Sequence, residues 1–354
     1  MNGHFFMSKL YDIMTFKKEY KNMKLQLTLN SLALILCCGD LIPSSTQPIS
    51  TQEWQEIEKK LKSAHKEPSM ITGMSIDTLI QIIGLDEFTA HKIEKRQKLL
   101  PDLFYALQNL ENQDIGVTTI YEEDYPASLR VLGTKMPLVI SYIGDLSLSY
   151  GVNISVAGPQ MMNKTMRHVT KEIMKKISKE GYTVVVGGSK GVEELALRTQ
   201  LTNNGNAVLF VADHMFDKIR LYSKYIKQNK LVIMTANDPY ALFDVTHALD
   251  KNLYICGMVF AQIVTGTHIG SGPVWFTSIQ NIHSHWTRQL VYETLDYSGN
   301  IRLIEMGEAH FTDEDLKSEV TLAEILDNHE TVIKKDDPSI DQMTIFEFIE
   351  DKHE

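Results

Sequence analysis

The chain has 354 residues, of which 43% are hydrophobic and 23% charged, and a formal net charge of −10. These are the proportions of a soluble globular protein with room for about two domains, and they exclude a disordered or fibrous chain. Cys37, Cys38 and Cys256 have neither zinc-ligand spacing nor the pattern of a disulfide framework, which fits a reducing cytoplasm.

The charge is polarised. Residues 161–232 hold 13 Lys/Arg against 6 Asp/Glu, a balance of +7, and residues 311–354 hold 4 Lys against 14 Asp/Glu, a balance of −10. A basic centre with an acidic end suggests an anion-binding core beside a solvated tail.

In chain order, Lys17, Lys18, Lys21 and Lys24 precede an apolar run over 25–36. Thr28, Asn30 and Ser31 interrupt that run, and it is too short to span a bilayer. Leu36 also stands before Cys37, where a cleaved leader needs a small residue. The segment 27–38 therefore reads as a first buried helix stopped by Gly39, with residues 1–24 as an extension and Met7 or Met23 as alternative starts. Helices follow at 50–64, with a Ser50/Glu53 capping box, and at 75–84, with Ser75 as N-cap and Gly84 as stop. Two more follow at 86–97 and 101–110. Residues 25–115 thus form a small helical domain.

The texture changes at Gly116. Strands are expected at 117–121 and 137–142. An apolar strand at 152–157 then runs into Gly158-Pro159-Gln160 and a helix over 164–179. A second strand at 182–186 runs into Gly187-Gly188-Ser189-Lys190-Gly191 and a helix over 192–201. This is βαβα with both turns at strand C-terminal ends, where open α/β sheets bind ligands. Glycines let a phosphate approach the backbone, and helix N-termini offer N–H groups and partial positive charge. Further strands are expected at 207–211, 231–234, 258–264 and 301–305, with helices at 216–228, 239–252 and 273–283. The fold class is α/β, a Rossmann-like doubly wound, mostly parallel sheet over 116–310, preceded by the helical domain and followed by an acidic tail over 311–354.

The candidate phosphate contacts are Gly158, Gln160, Gly188, Ser189 and Lys190 in the turns. Lys164 and Arg167 lie one helical turn apart behind the first turn. Trp275 is either a core residue or a stacking surface for a base. Glu193 has no paired nucleophile and reads as a partner for N–H groups of its own turn. His268, His283 and His285 read as surface residues, so neither a metal nor a cofactor is expected.

Several segments resemble the DprA/Smf family of DNA-processing proteins. Tyr125-Pro126-Ala127-Ser128-Leu129 followed by Met136-Pro137 and Gly144 is similar to its opening motif. The two glycine turns, Lys251-Asn252, and Gly270-Ser271-Gly272 follow in the family's order. The resemblance implies a Rossmann-like domain that binds single-stranded DNA, forms a homodimer, hands DNA to a RecA-type recombinase and is not an enzyme. It adds Lys251, Asn252, Ser271 and Gly272 to the candidate contacts. The chain departs from the pattern at Gln160, where the family has arginine, at Glu193 for aspartate, at Leu197 for histidine and at Lys251 for arginine. Lysine keeps the charge and loses the planar fork that grips phosphate. A nucleotide-binding sensor or nucleotide hydrolase using the same turns is the alternative. In the tail, Gln342, Ile345 and Phe346 belong to a short stretch that resembles a sliding-clamp docking peptide, the alternative being packing on the protein's own surface.

Overall fold

The structure, a computed structural model, describes residues 25–317 and 319–328. It divides into two compact units. The first holds residues 25–125, 133–143 and 235–241, and the second holds 126–132, 144–234 and 242 onward. Residues 1–24 and the candidate docking residues Gln342, Ile345 and Phe346 lie outside the described residues.

The first unit is built on α1 (Leu29–Cys38), which is buried continuously from Ser31 to Cys37, as a core helix must be. Thr28 caps its start, its side chain accepting from the Ser31 N–H. Around it stand α2 (Thr51–Ser63), with the expected Ser50/Glu53 capping box, α3 (Ile76–Gln81), α4 (Glu87–Gln97) and α5 (Leu100–Glu111). Arg96 of α4, 1% exposed, donates to the carbonyls of Leu36, Thr46 and Gly39 at 2.7, 3.1 and 2.6 Å. A guanidinium thus closes the C-terminal end of α1, where unpaired carbonyls gather.

Strands β1 (Gly116–Thr119) and β2 (Val139–Ile143) pair antiparallel and belong to this unit, which moves the expected boundary at 115/116. The reason is local bonding. The Ser31 and Thr119 hydroxyls share a hydrogen bond at 2.7 Å, Trp54 Nε1 donates to the Tyr121 hydroxyl at 3.0 Å, and Thr51 Oγ1 donates to the Met136 carbonyl at 3.0 Å.

The second unit is the expected doubly wound sheet. It contains β3 (Asn153–Ala157), α6 (Lys164–Lys179), β4 (Thr183–Val186), α7 (Val192–Thr202), β5 (Ala207–Phe210), α8 (Met215–Lys227), β6 (Leu231–Thr235), α9 (Val245–Met258), β7 (Ala261–Val264), α10 (Gly272–Ser284), β8 (Arg288–Tyr292), α11 (Ser298–Glu305) and β9 (Ala309–Phe311). The strands run parallel in the order β6-β5-β4-β3-β7-β8-β9. β3 through β7 are buried along their whole length, hence the unbroken Val/Ile/Leu runs.

Four elements differ from expectation. The helix expected at 239–252 starts at Val245, because the Asp244 side chain accepts from the His247 N–H and sets the first turn there. The strand expected at 301–305 is part of α11. β8 and β9 were not expected at all. β8 begins Arg288-Gln289, and its buried Gln289 breaks the apolar run that marks an inner strand. The described residues beyond Phe311, up to Asn328, also belong to the fold. In α13 (Leu322–Asn328), which follows α12 (Asp313–Lys317), Leu322, Ile325 and Leu326 are buried. The Glu180 carboxylate accepts from the Leu322 and Ala323 N–H groups at 2.5 and 3.1 Å. The expected tail boundary at 311 therefore cuts a packed segment. No helix among the described residues is long and apolar enough to cross a membrane.

Glu308 precedes β9, beside Gln289 of β8, and is 9% exposed. Burial pushes its carboxyl from 4.5 up to about 7, with Gln289 opposing part of the rise. An acid whose folded pKa is raised contributes its full stability below the unfolded value of 4.5 and loses it as pH rises through about 7. Replacing Glu308 with Gln should therefore flatten the pH dependence of melting. It should make the chain about 2 kcal/mol more stable at pH 8, less than full linkage because the amide must also be desolvated. Parallel melting curves of the two proteins from pH 5 to 8 would contradict this.

Candidate functional site

Strand order reverses between β3 and β7, so the loops at their C-terminal ends border the switch point of the sheet. The turn after β3 begins at Gly158, where a Cβ would lie 2.2 Å from Thr265 Oγ1 and 2.8 Å from Val192 Cγ2. The turn after β4 ends at Gly191, at φ +88°, where a Cβ would lie 2.4 Å from the carbonyl oxygens of both Pro159 and Gln160. The Val192 N–H donates to the Pro159 carbonyl at 3.3 Å. The two expected glycine turns therefore abut as one surface.

This surface has two electrostatic characters. At α6 the cap is Asn163, whose side chain accepts from the Met166 N–H at 2.7 Å, and the first turn holds no acidic residue. Lys164 and Arg167 are exposed there, as are Gln160 and Lys190. At α7, by contrast, Glu193 is buried and accepts from the Ser189 N–H at 2.9 Å, as the sequence suggested. Its carboxylate occupies the region of a helix N-terminus that an incoming anion would seek.

Lys251, expected to reach a phosphate, is instead buried at 6% exposure, and its Nζ donates to Ser189 Oγ at 3.3 Å. Its aliphatic stem fills the space beside Gly187, where a Cβ would meet Nζ at 2.3 Å. Lys251 positions the turn from within. Asn252 donates to the Ala248 carbonyl at 3.1 Å and lines a cavity of about 20 Å³ together with Ser155, Glu193 and Gln262. That space is far too small for a nucleotide.

Lys218 was not anticipated. Its Nζ donates to the Gly188 carbonyl at 3.2 Å, bringing α8 to the same turn. It is the fourth residue of the helix after β5, as Arg167 is of the helix after β3, and that shared offset was the available signal.

The loop after β7 closes the third side. Thr265 Oγ1 donates to the Ala157 carbonyl at 3.0 Å. Ser271 and Gly272 open α10, Ser271 exposed and Gly272 at φ +78°. Asn300, fully buried, holds the loop in place. Its amide donates to the Thr265 and Tyr292 carbonyls at 3.2 and 2.8 Å, and its Oδ1 accepts from the Thr267 N–H at 2.8 Å. Trp275 packs with Val264, Val291 and Leu303, which rules out its reading as a stacking surface. His268, His283 and His285 are exposed, and among the described residues no group of three metal-ligating side chains comes together.

A doubly wound parallel sheet with its glycine turns gathered at the switch point defines the Rossmann-like class of α/β proteins. The chain belongs to the DNA recombination-mediator protein A family, whose model matches residues 116–315, more than half of its length. Its fold is similar to that of DNA processing protein A (DprA) from Streptococcus pneumoniae, at TM-score 0.66 and 16% identity, over 86% of this chain and 99% of that one. It is also similar to DNA processing protein A from Helicobacter pylori, at TM-score 0.50 and 15% identity, over 60% of this chain and 97% of that one. The latter structure was described for its single-stranded DNA binding mode. No curated protein sequence matches the chain.

Proposed function

We propose that this chain binds single-stranded DNA along the C-terminal edge of the second unit's sheet, protects it and assists its loading onto a RecA-type recombinase. In this reading it is a binder and not an enzyme. The observation that carries it is the acid-free start of α6, with Lys164 and Arg167 exposed beside the switch point. The helix's positive end and the two cations act on an anion in the same sense. Family membership and the strand binding described for the H. pylori protein support it.

The exposed cations suit a strand better than a mononucleotide. Of the two helix N-termini at the turns, that of α7 already carries the Glu193 carboxylate, which leaves the start of α6 with its exposed cations to meet the anion. The reading is completed by a homodimer, a cytoplasmic location and clamp docking through Gln342, Ile345 and Phe346. Its support there is the family resemblance and the tail's short motif.

Replacing Lys164 and Arg167 together with Ala tests the groove. Affinity for labelled oligo-dT should fall at least about tenfold. The log–log salt slope should shrink by about 1.4, the release expected for two lost phosphate contacts on a single strand. Unchanged affinity and slope would remove α6 from the interface.

A further inference from the structure

Three large apolar side chains stand on the loops at and beside the switch point. Met161, in the turn after β3, is 87% exposed. Ile269, after β7, is 55% exposed, and Leu295, after β8, is 90% exposed. Exposed loops normally carry small or polar residues, and apolar groups gathered at a ligand edge mark a contact surface.

The structure holds these three loops together. Asn163 Nδ2 donates to Asp296 Oδ2 at 3.1 Å, joining the Met161 turn to the Leu295 loop. The Ile269 N–H donates to Ser298 Oγ at 3.3 Å. Gly266 packs tightly between Pro159, Met166 and Tyr297, where a Cβ would lie 3.0 to 3.1 Å from each. Exposed His268 packs against buried Tyr297, ring centroids 5.0 Å apart and ring planes tilted by 40°, which places a ring on the same rim. Exposed Lys164 lies three residues beyond Met161, on the first turn of α6.

We infer that this rim of Met161, Ile269 and Leu295 carries the unpaired bases of the bound strand, while Lys164 and Arg167 hold its phosphates. The inference rests on the strand-binding reading and extends it to the part of the ligand that phosphate chemistry leaves unexplained. Bases freed from pairing expose apolar faces, and apolar or ring surfaces accept them without selecting a sequence. A duplex keeps those faces stacked inside, so the rim would make the surface prefer single strands.

The test uses the full chain, a labelled oligo-dT strand and a strand of equal length with abasic sites throughout. Wild type should bind the dT strand about tenfold or more tightly than the abasic strand, the scale of base contacts in single-strand grooves. Replacing Met161, Ile269 and Leu295 together with Ser should erase that preference. Affinity for the abasic strand should stay at its wild-type value, which also shows that the variant is folded. Equal binding of both strands by wild type, or a preserved preference in the variant, overturns the inference and leaves strand binding standing. Binding of neither strand by wild type sinks the strand-binding reading itself, and the rim with it.

Discussion

Replacing Gly191 with Ala will cost about 4 kcal/mol in urea denaturation and will abolish strand binding. Two effects add. Gly191 sits at φ +88° and ψ −125°, a conformation that side chains other than glycine adopt at a cost of roughly 1–3 kcal/mol. Its Cβ would also lie 2.4 Å from two carbonyl oxygens, those of Pro159 and Gln160, and backbone cannot yield as a flexible side-chain end can. The turns would have to part, which breaks the Val192 N–H to Pro159 bond and displaces Lys190 relative to Lys164. Replacing Gly181 with Ala isolates the first effect, since Gly181 lies at φ +77° with nothing within 4 Å of its Cβ. That variant should lose only about 1–2 kcal/mol and bind normally. Equal losses for the two would mean that the turns do not depend on their close approach.

The second large effect is expected in the helical unit. Replacing Arg96 with Met keeps most of the aliphatic bulk but removes three hydrogen bonds, leaving the carbonyls of Leu36, Gly39 and Thr46 without their cationic donor. Charge-assisted bonds contribute about 1.5–3 kcal/mol each, and buried unpaired carbonyls add their desolvation cost, so a loss of about 4 kcal/mol is expected after partial relaxation. Replacing Arg96 with Lys should recover less than half of this, because an ammonium lacks the fork that reaches three acceptors. Full recovery by lysine would show that charge alone, and not geometry, closes α1.

The parts of the fold that were legible in the sequence were those where local signals agree. The turns at Gly158 and Gly187 to Gly191 announced themselves because apolar strands end there and amphipathic helices begin. The capping box at Ser50 and Glu53 marked α2 to the residue. Signals failed where tertiary contact outweighs pattern. Gln289 is buried in β8 though its type favours the surface, and the apolar run at 301–305 is helical, with Asn300 just before it bonded to the loop after β7 and to the end of β8.

The site divides in the same way. The exposure of Lys164, Arg167 and Lys190 follows the habit of their residue types. The burial of Lys251 does not, and it becomes visible only when α9 is set beside the Ser189 turn, 62 residues away in sequence. Lys218 and Asn300 were missed because each acts through a backbone group of a distant loop, a role that carries no motif.

The most direct test of strand binding is fluorescence anisotropy of the full chain with labelled oligo-dT at two salt concentrations, with duplex DNA of equal length as control. Tight binding to the single strand that weakens steeply as salt rises is expected, with the duplex bound at least about tenfold more weakly. Absence of binding to oligo-dT at the lower salt, or equal affinity for the duplex, would contradict it.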